Sequence, residues 1–136
     1  MGGMYRLQVE RRVRATHAIV IAGELETPHE HDWRIRVQVS GPTLDSEGLL
    51  CDFHVLEQQL DRLIKPFHDA DLNATPPFDK VNPTAEHVAQ FIAEGMADGA
   101  GSAITRIEAA VTEAPGCEAF CTKTLHTDES TSGADS

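Results

Sequence analysis

Three histidines are placed to hold a metal. His29 and His31 stand one residue apart at the head of an alternating run, HEHDWRIRVQV, and residues i and i+2 of a strand point to the same face. His17 lies late in an earlier run in which Tyr5, Leu7, Val9, Val13, Ala15, Ile19 and Ile21 share its parity, while Arg6, Gln8, Glu10, Arg12, Arg14 and Thr16 take the other. The ring therefore sits on an otherwise apolar face. Three imidazoles converging from two strands, with a fourth position open, form the donor set of a catalytic zinc site. A carboxylate, Glu113, ends another apolar parity series made by Ile107, Ala109 and Val111.

The rest of the chain must supply the scaffold for these groups. With 136 residues and 40% hydrophobic content it reads as one domain with a real core. A formal charge of -11, from 22 acidic against 11 basic residues, disfavours nucleic acid and anionic membranes as partners. No apolar run approaches the roughly 20 residues of a membrane span, and the start lacks a signal-peptide core, so a cytoplasmic protein is expected. Cys51, Cys117 and Cys121 make neither an even framework nor a CxxC pair, and are expected to be buried free thiols.

Taken in order, Tyr5 to Ile21 predicts one long strand whose apolar face is broken, His17 aside, only by Arg11, a residue suited to a bulge or a solvated end. Ala22 to Pro28 has loop composition, and Pro28 lacks a backbone donor, so pairing should start after it. His29 to Val39 then forms the second strand of an antiparallel hairpin with all three histidines on its inner face. After a turn region at Ser40 to Gly48, the apolar spacing of Phe53, Leu56, Leu60, Leu63, Ile64 and Phe67 predicts a helix over Asp52 to Lys65, capped by Asp52. The stretch His68 to Val81 is rich in Pro, Asp and Asn, and loops of that length tend to be functional. Asn82 as cap and Pro83 at the first helical position open a second helix with Val88, Phe91, Ile92 and Met96 inward. His54 and His87 are expected to face solvent from these helices. A third strand carries Ile107 to Glu113, Pro115 and Gly116 make a turn, and Cys117 to Leu125 forms a fourth strand anchored by Phe120. The order ββααββ implies an α+β fold, a four-stranded antiparallel sheet with two helices on one face. Residues 1–125 form the domain, and 126–136 read as a disordered acidic tail.

The histidine late in the first strand, the HxH pair, the Asp52-Phe53 step into a helix, Leu72-Asn73 in the loop, the helix start from Asn82 to Glu86, and Glu113 together resemble the 6-pyruvoyl-tetrahydropterin synthase and 6-carboxy-tetrahydropterin synthase family. The resemblance spans about residues 5 to 123. It implies a T-fold whose sheets join between subunits into a barrel, usually a homohexamer built as a dimer of trimers. It implies zinc held by His17, His29 and His31, and a pterin ring anchored by Glu113 with Thr84 as a neighbour. An acceptor-only carboxylate on a buried face needs donors, and a 2-aminopyrimidinone edge offers two.

The chain departs from the family where protons move. The family's usual base is a cysteine shortly before HxH, but Glu24-Leu25-Glu26-Thr27-Pro28 contains none, and the family's Asp-His step reads His68-Asp69 here. One branch of the family places a glutamate in an ExxHxH arrangement and makes a hydroxymethyl pterin from dihydroneopterin, and Glu26 to His31 resembles it. Glu26, His68 and Asp69 are thus the residues offered for proton transfer in a zinc-dependent lyase acting on a dihydroneopterin-type substrate. The alternatives are a pterin- or purine-like-ring-binding homologue that has lost the reaction, with or without the zinc, and an unrelated hydrolase with a three-histidine metal site. Glu30, where the family typically has glycine, adds bulk and charge between the two histidines.

Overall fold

The structure, a computed structural model, describes residues 3–125; the expected tail, 126–136, lies outside them. Four long strands carry the sheet: β1 (Tyr5–His17), β4 (His29–Gly41), β6 (Arg106–Ala114) and β7 (Cys117–Thr124). A two-residue ribbon, β2 (Val20–Ile21) with β3 (Glu24–Leu25), stands apart from it, and a short β5 (Ala70–Asp71) pairs parallel with Ala15 and Thr16 at the outer edge. The order across the sheet is β5-β1-β4-β6-β7, and the four long strands are antiparallel to their neighbours. Helices α1 (Phe53–Ile64) and α2 (Ala85–Asp98) cover one face. Among the described residues no helix is long and apolar enough to cross a membrane.

The period-two pattern places the core. Val9, Val13, Ala15, Trp33, Ile35, Val37 and Val39 meet Ile107, Ala109 and Val111 beneath Leu56, Leu60 and Ile64 of α1 and Val88, Ile92 and Met96 of α2. Asp52 caps α1 by accepting from the His54 N–H, and the helices approach closely enough that a Cβ on Gly95 would fall 2.5 Å from Leu63 Cδ2. Pro115 and Gly116, the latter at φ +84°, turn β6 into β7, since a positive φ after proline is the glycine position of a type II turn.

Several expectations are corrected. The first strand ends at His17 rather than Ile21 because the Asn73 side chain binds the Ala18 backbone, receiving its N–H at 2.8 Å and donating to its C=O at 2.8 Å. Beyond it, Ala22 and Gly23 at φ +53° and +82° fold Val20 to Leu25 into the tight ribbon, a two-residue hairpin turn with both central residues at positive φ. Arg11 is no bulge: the β1–β4 register is continuous through it, and its guanidinium reaches Asp61 of α1 at 2.7 Å and Glu57 at 3.6 Å. Thr84, not Asn82, caps α2, because the Asn82 amide is engaged with Val20, receiving its N–H and donating to its C=O. His87 is only half-exposed, its Nδ1 2.7 Å from the Asn82 carbonyl, whereas His54 faces solvent as expected. Phe53 and Phe120 are exposed, so Phe120 does not anchor β7; its parity puts it on the face away from the helices. None of the cysteines is fully buried, and Cys117 is exposed.

Candidate metal centre

The β1–β4 register sets His17 directly opposite His29, Ala15 opposite His31 and Val13 opposite Trp33. Opposed residues of an antiparallel pair share a face, so the three rings stand together at one end of the sheet. Their centroids are 5.1 Å apart for His17 and His31, 5.5 Å for His29 and His31, and 6.0 Å for His17 and His29. Trp33 closes the cluster from below, edge-on to His17 at 4.8 Å and held by donation of its indole N–H to the Ala15 carbonyl at 3.2 Å. Glu113 arrives from β6, where the pairing with β7 shifts register between Thr112 and Ala114. Such a bulge re-aims one side chain, here the carboxylate, toward the rings.

Protonation follows from the partners. His17 is 1% exposed, and its Nδ1 lies 2.8 Å from the Pro83 carbonyl just before α2. A carbonyl only accepts, so Nδ1 carries a proton, and in the neutral ring Nε2 is the atom that presents a lone pair. The Nε2 atoms of His17 and His31 are both buried without a hydrogen-bond partner. Glu113 Oε2 lies 3.3 Å from His31 Nε2 and 3.6 Å from that of His17. Burial lowers the His31 pKa, the nearby His17 and His29 adding to the effect and Glu113 opposing it, which favours the neutral ring that ligates metals. One ligand atom from each of His17, His31 and Glu113 lies within 4.8 Å of the others. Orphaned lone pairs converging in this way fit a divalent metal ion, with the Pro83 carbonyl as the outer partner that orients His17.

His29 is not part of that close group. Its ring is half-exposed and its Nε2 lies 3.1 Å from Glu26 Oε2. Glu26 is itself fixed: its Oε1 accepts the Ile19 N–H at 3.2 Å and its own N–H donates to the Ile19 carbonyl at 3.0 Å. The carboxylate marked in the sequence for proton transfer is thus brought beside the histidines by the β2–β3 ribbon. Thr84, whose hydroxyl receives the His87 N–H at 3.1 Å, follows Pro83 and so stands next to the His17 support. His68 and Asp69 are exposed. Asp69, at φ +56°, gives its N–H to the Arg14 carbonyl at 2.7 Å, which docks the loop on the edge of β1 without placing either side chain among the histidines. Glu30, opposite Thr16, lies on the other face of the sheet and leaves the metal-facing side free.

Asn73, Asn82, Pro83 and Trp33 hold the site although the sequence offers them no chemistry. The two asparagines act as stand-ins for a neighbouring strand, each binding both backbone groups of one residue after His17. In the sequence, Asn73 stands out only as part of the Leu72-Asn73 step and Asn82 as a helix-cap candidate, and neither signal names the backbone groups they bind.

The sequence profile of 6-pyruvoyl tetrahydropterin synthase matches residues 6–124. No curated protein matches the chain. In fold, the chain resembles a 6-pyruvoyl tetrahydropterin synthase of Plasmodium falciparum, with a TM-score of 0.75 at 18% identity, covering 90% of this chain and 99% of that one. It also resembles that of Caenorhabditis elegans, with a TM-score of 0.73 at 14% identity over 92% and 98% of the two chains. A third similar structure is a Plasmodium vivax 6-pyruvoyltetrahydropterin synthase with a catalytic glutamate mutated to alanine, at a TM-score of 0.75 and 14% identity over 90% of this chain and 99% of that one.

Proposed function

The chain belongs to the 6-pyruvoyl tetrahydropterin synthase family, and from that premise we propose that it is a zinc-dependent lyase acting on a dihydroneopterin-type substrate, with Glu26 as its base. The observation that carries this reading is the convergence of two buried, unpartnered Nε2 atoms with a carboxylate held 3.1 Å from the third histidine.

His17, His29 and His31 would hold the ion, and zinc when bound would polarise a side-chain oxygen of the substrate and acidify the neighbouring C–H. Everything else falls to the protein. Glu113 accepts the ring N–H and amino donors of the pterin, orienting the side chain toward the histidines, with Thr84 beside it. Glu26 takes the proton. Its anchoring to the Ile19 backbone fixes the carboxylate's position, and the Plasmodium vivax enzyme, whose structure names a glutamate as catalytic, supports a carboxylate in that office. His68 and Asp69 relay protons at the rim from an exposed loop. Assembly into a homohexamer, a dimer of trimers, would cover the free edges of β7 and of most of β1 together with the exposed Val20, Ile21 and Leu25 of the ribbon.

Zinc content, and product formed from dihydroneopterin triphosphate, test the reading. Glu26→Gln should cut turnover by about 10²- to 10⁴-fold with zinc content unchanged. Stoichiometric zinc and ring binding without any product would instead identify a binding homologue, and absence of zinc would sink the lyase mechanism.

A further inference from the structure

His87 belongs to α2 rather than to the cluster of three rings, yet two of its groups are committed where that helix begins. Its N–H donates to the Thr84 hydroxyl at 3.1 Å, which caps the helix. Its ring Nδ1 lies 2.7 Å from the Asn82 carbonyl, and a carbonyl only accepts, so the ring donates there. Capping is complete without that second bond. The Asn82 carbonyl also receives the Thr84 N–H at 2.8 Å, so the peptide joining Asn82 to Pro83 is held by two donors.

That peptide is a junction. From Asn82 the side chain reaches Val20, accepting its N–H at 2.8 Å and donating to its C=O at 3.0 Å. Val20 opens the β2–β3 ribbon, whose second strand leads into Glu26. Ile19, just before Val20, is bound to Glu26 twice, by its own N–H at 3.2 Å and by the Glu26 N–H at 3.0 Å. One residue beyond Asn82, the Pro83 carbonyl lies 2.8 Å from His17 Nδ1. Two histidine rings are therefore seated on consecutive carbonyls, His17 from within the core and His87 from the half-exposed flank of α2.

We propose that His87 is a positioning residue: by holding the Asn82 carbonyl it fixes the direction of the Asn82 side chain, and through Val20 it keeps the ribbon and Glu26 in place beside the histidines. Its consequence for turnover rests on the reading of Glu26 as the base; the holding of the ribbon rests on the hydrogen bonds alone. The ribbon needs such support. A pair of two-residue strands is not stable by itself, and Val20, Ile21 and Leu25 are exposed, so no core packing fixes it. Pro83 has no N–H with which to tie the segment down, so a side-chain donor does so one residue earlier.

The test compares His87→Ala with His87→Asn in the full chain. Alanine removes the ring donor while favouring the helix, so α2 is not weakened by propensity, and asparagine returns an amide N–H near the place of Nδ1. Hydrogen exchange, read by mass spectrometry over residues 18–26, should be about fivefold faster in His87→Ala, the worth of one hydrogen bond, and within about twofold of the parent in His87→Asn. Exchange over residues 7–15 of β1 should not change. Asn82→Ala, which removes both bonds to Val20, should loosen the ribbon further than His87→Ala. With dihydroneopterin triphosphate, His87→Ala should lower kcat by about tenfold while KM and zinc content hold, because a misplaced base costs the chemical step and not binding. Equal ribbon exchange in the parent and His87→Ala overturns the proposal, and so does a loss that His87→Asn fails to restore. A loosened ribbon with unchanged kcat overturns the link to turnover. A parent that forms no product overturns the lyase reading alone, and the exchange comparison still decides the role of His87.

Discussion

The part of the site that carries His17 and His31 and the part that carries Glu26, His68 and Asp69 are built in opposite ways. His17 and His31 are set by a continuous strand register, floored by a buried tryptophan and oriented by the carbonyl that precedes α2. Glu26 hangs on a ribbon of two-residue strands, and His68 and Asp69 sit in an exposed loop docked by a two-residue pairing. A ligand set must be preorganised because metal affinity falls steeply with misplaced donors, so it belongs on long strands. A group that meets substrate and exchanges protons with water belongs at a rim. The difference teaches that the rim of this fold can vary without disturbing the histidines, whose placement rests on the continuous β1–β4 register.

The sharpest way to break the contrast is at His17. If His17 ligates zinc as proposed, His17→Ala should lower zinc affinity by more than about 100-fold, more than the loss of an outer partner would cost. It should also cost about 2–4 kcal/mol of stability, through the cavity left and the orphaned Pro83 carbonyl, measurable by urea denaturation with chelator present. Next comes the tether between the halves. Asn73→Ala removes both hydrogen bonds to Ala18 and should cost about 1–2 kcal/mol in the same assay. Turnover in that variant should fall more than zinc affinity, because the ribbon that carries Glu26 loses its mooring; equal losses would show that the halves are not separable.

The rim should be forgiving. His68→Ala should reduce turnover by less than about tenfold, below the usual range for a direct general base. Asp69→Gly should hold or raise the melting temperature, because glycine adopts φ +56° without the strain of a side chain, an effect of about 1 kcal/mol or less. The smallest effect concerns the thiols. Burial, helped by the neighbouring Asp52 charge, raises the Cys51 pKa, so its thiol stays protonated at pH 8 and gains reactivity only as the pH climbs further. Iodoacetamide should therefore label exposed Cys117 first and Cys51 slowly, as read by mass spectrometry. Zinc affinity should not change. Loss of zinc on labelling Cys117 would tie a thiol to the metal half and blur the contrast.

Much of this was legible in residues that obey a period. Parity alone put His17, His29 and His31 on the inner face, and Asp52 at the start of α1, because alternation and capping are local rules. The same rules failed where a distant side chain intervened. The β1 strand stops at His17 because of Asn73, Arg11 is tolerated on the helix-facing side because of Asp61, and Asn82 cannot cap α2 because it serves Val20. Phe120 was misplaced for another reason: an aromatic in a short strand looks like an anchor, but the pairing of β7 with β6 directs it to the uncovered face.

By itself the sequence determined the α+β order, the inner-face histidines, the family and the missing cysteine, since each is written in residue type and short-range spacing. Only the tertiary structure decided that Glu113 lies within 3.3–3.6 Å of the two inner histidines, and that His29 answers to Glu26. Those are matters of which strand ends meet, of one bulge, and of which proton a carbonyl 66 residues away holds on His17. Local pattern carries none of these, because they arise when segments far apart in the chain are packed against one another.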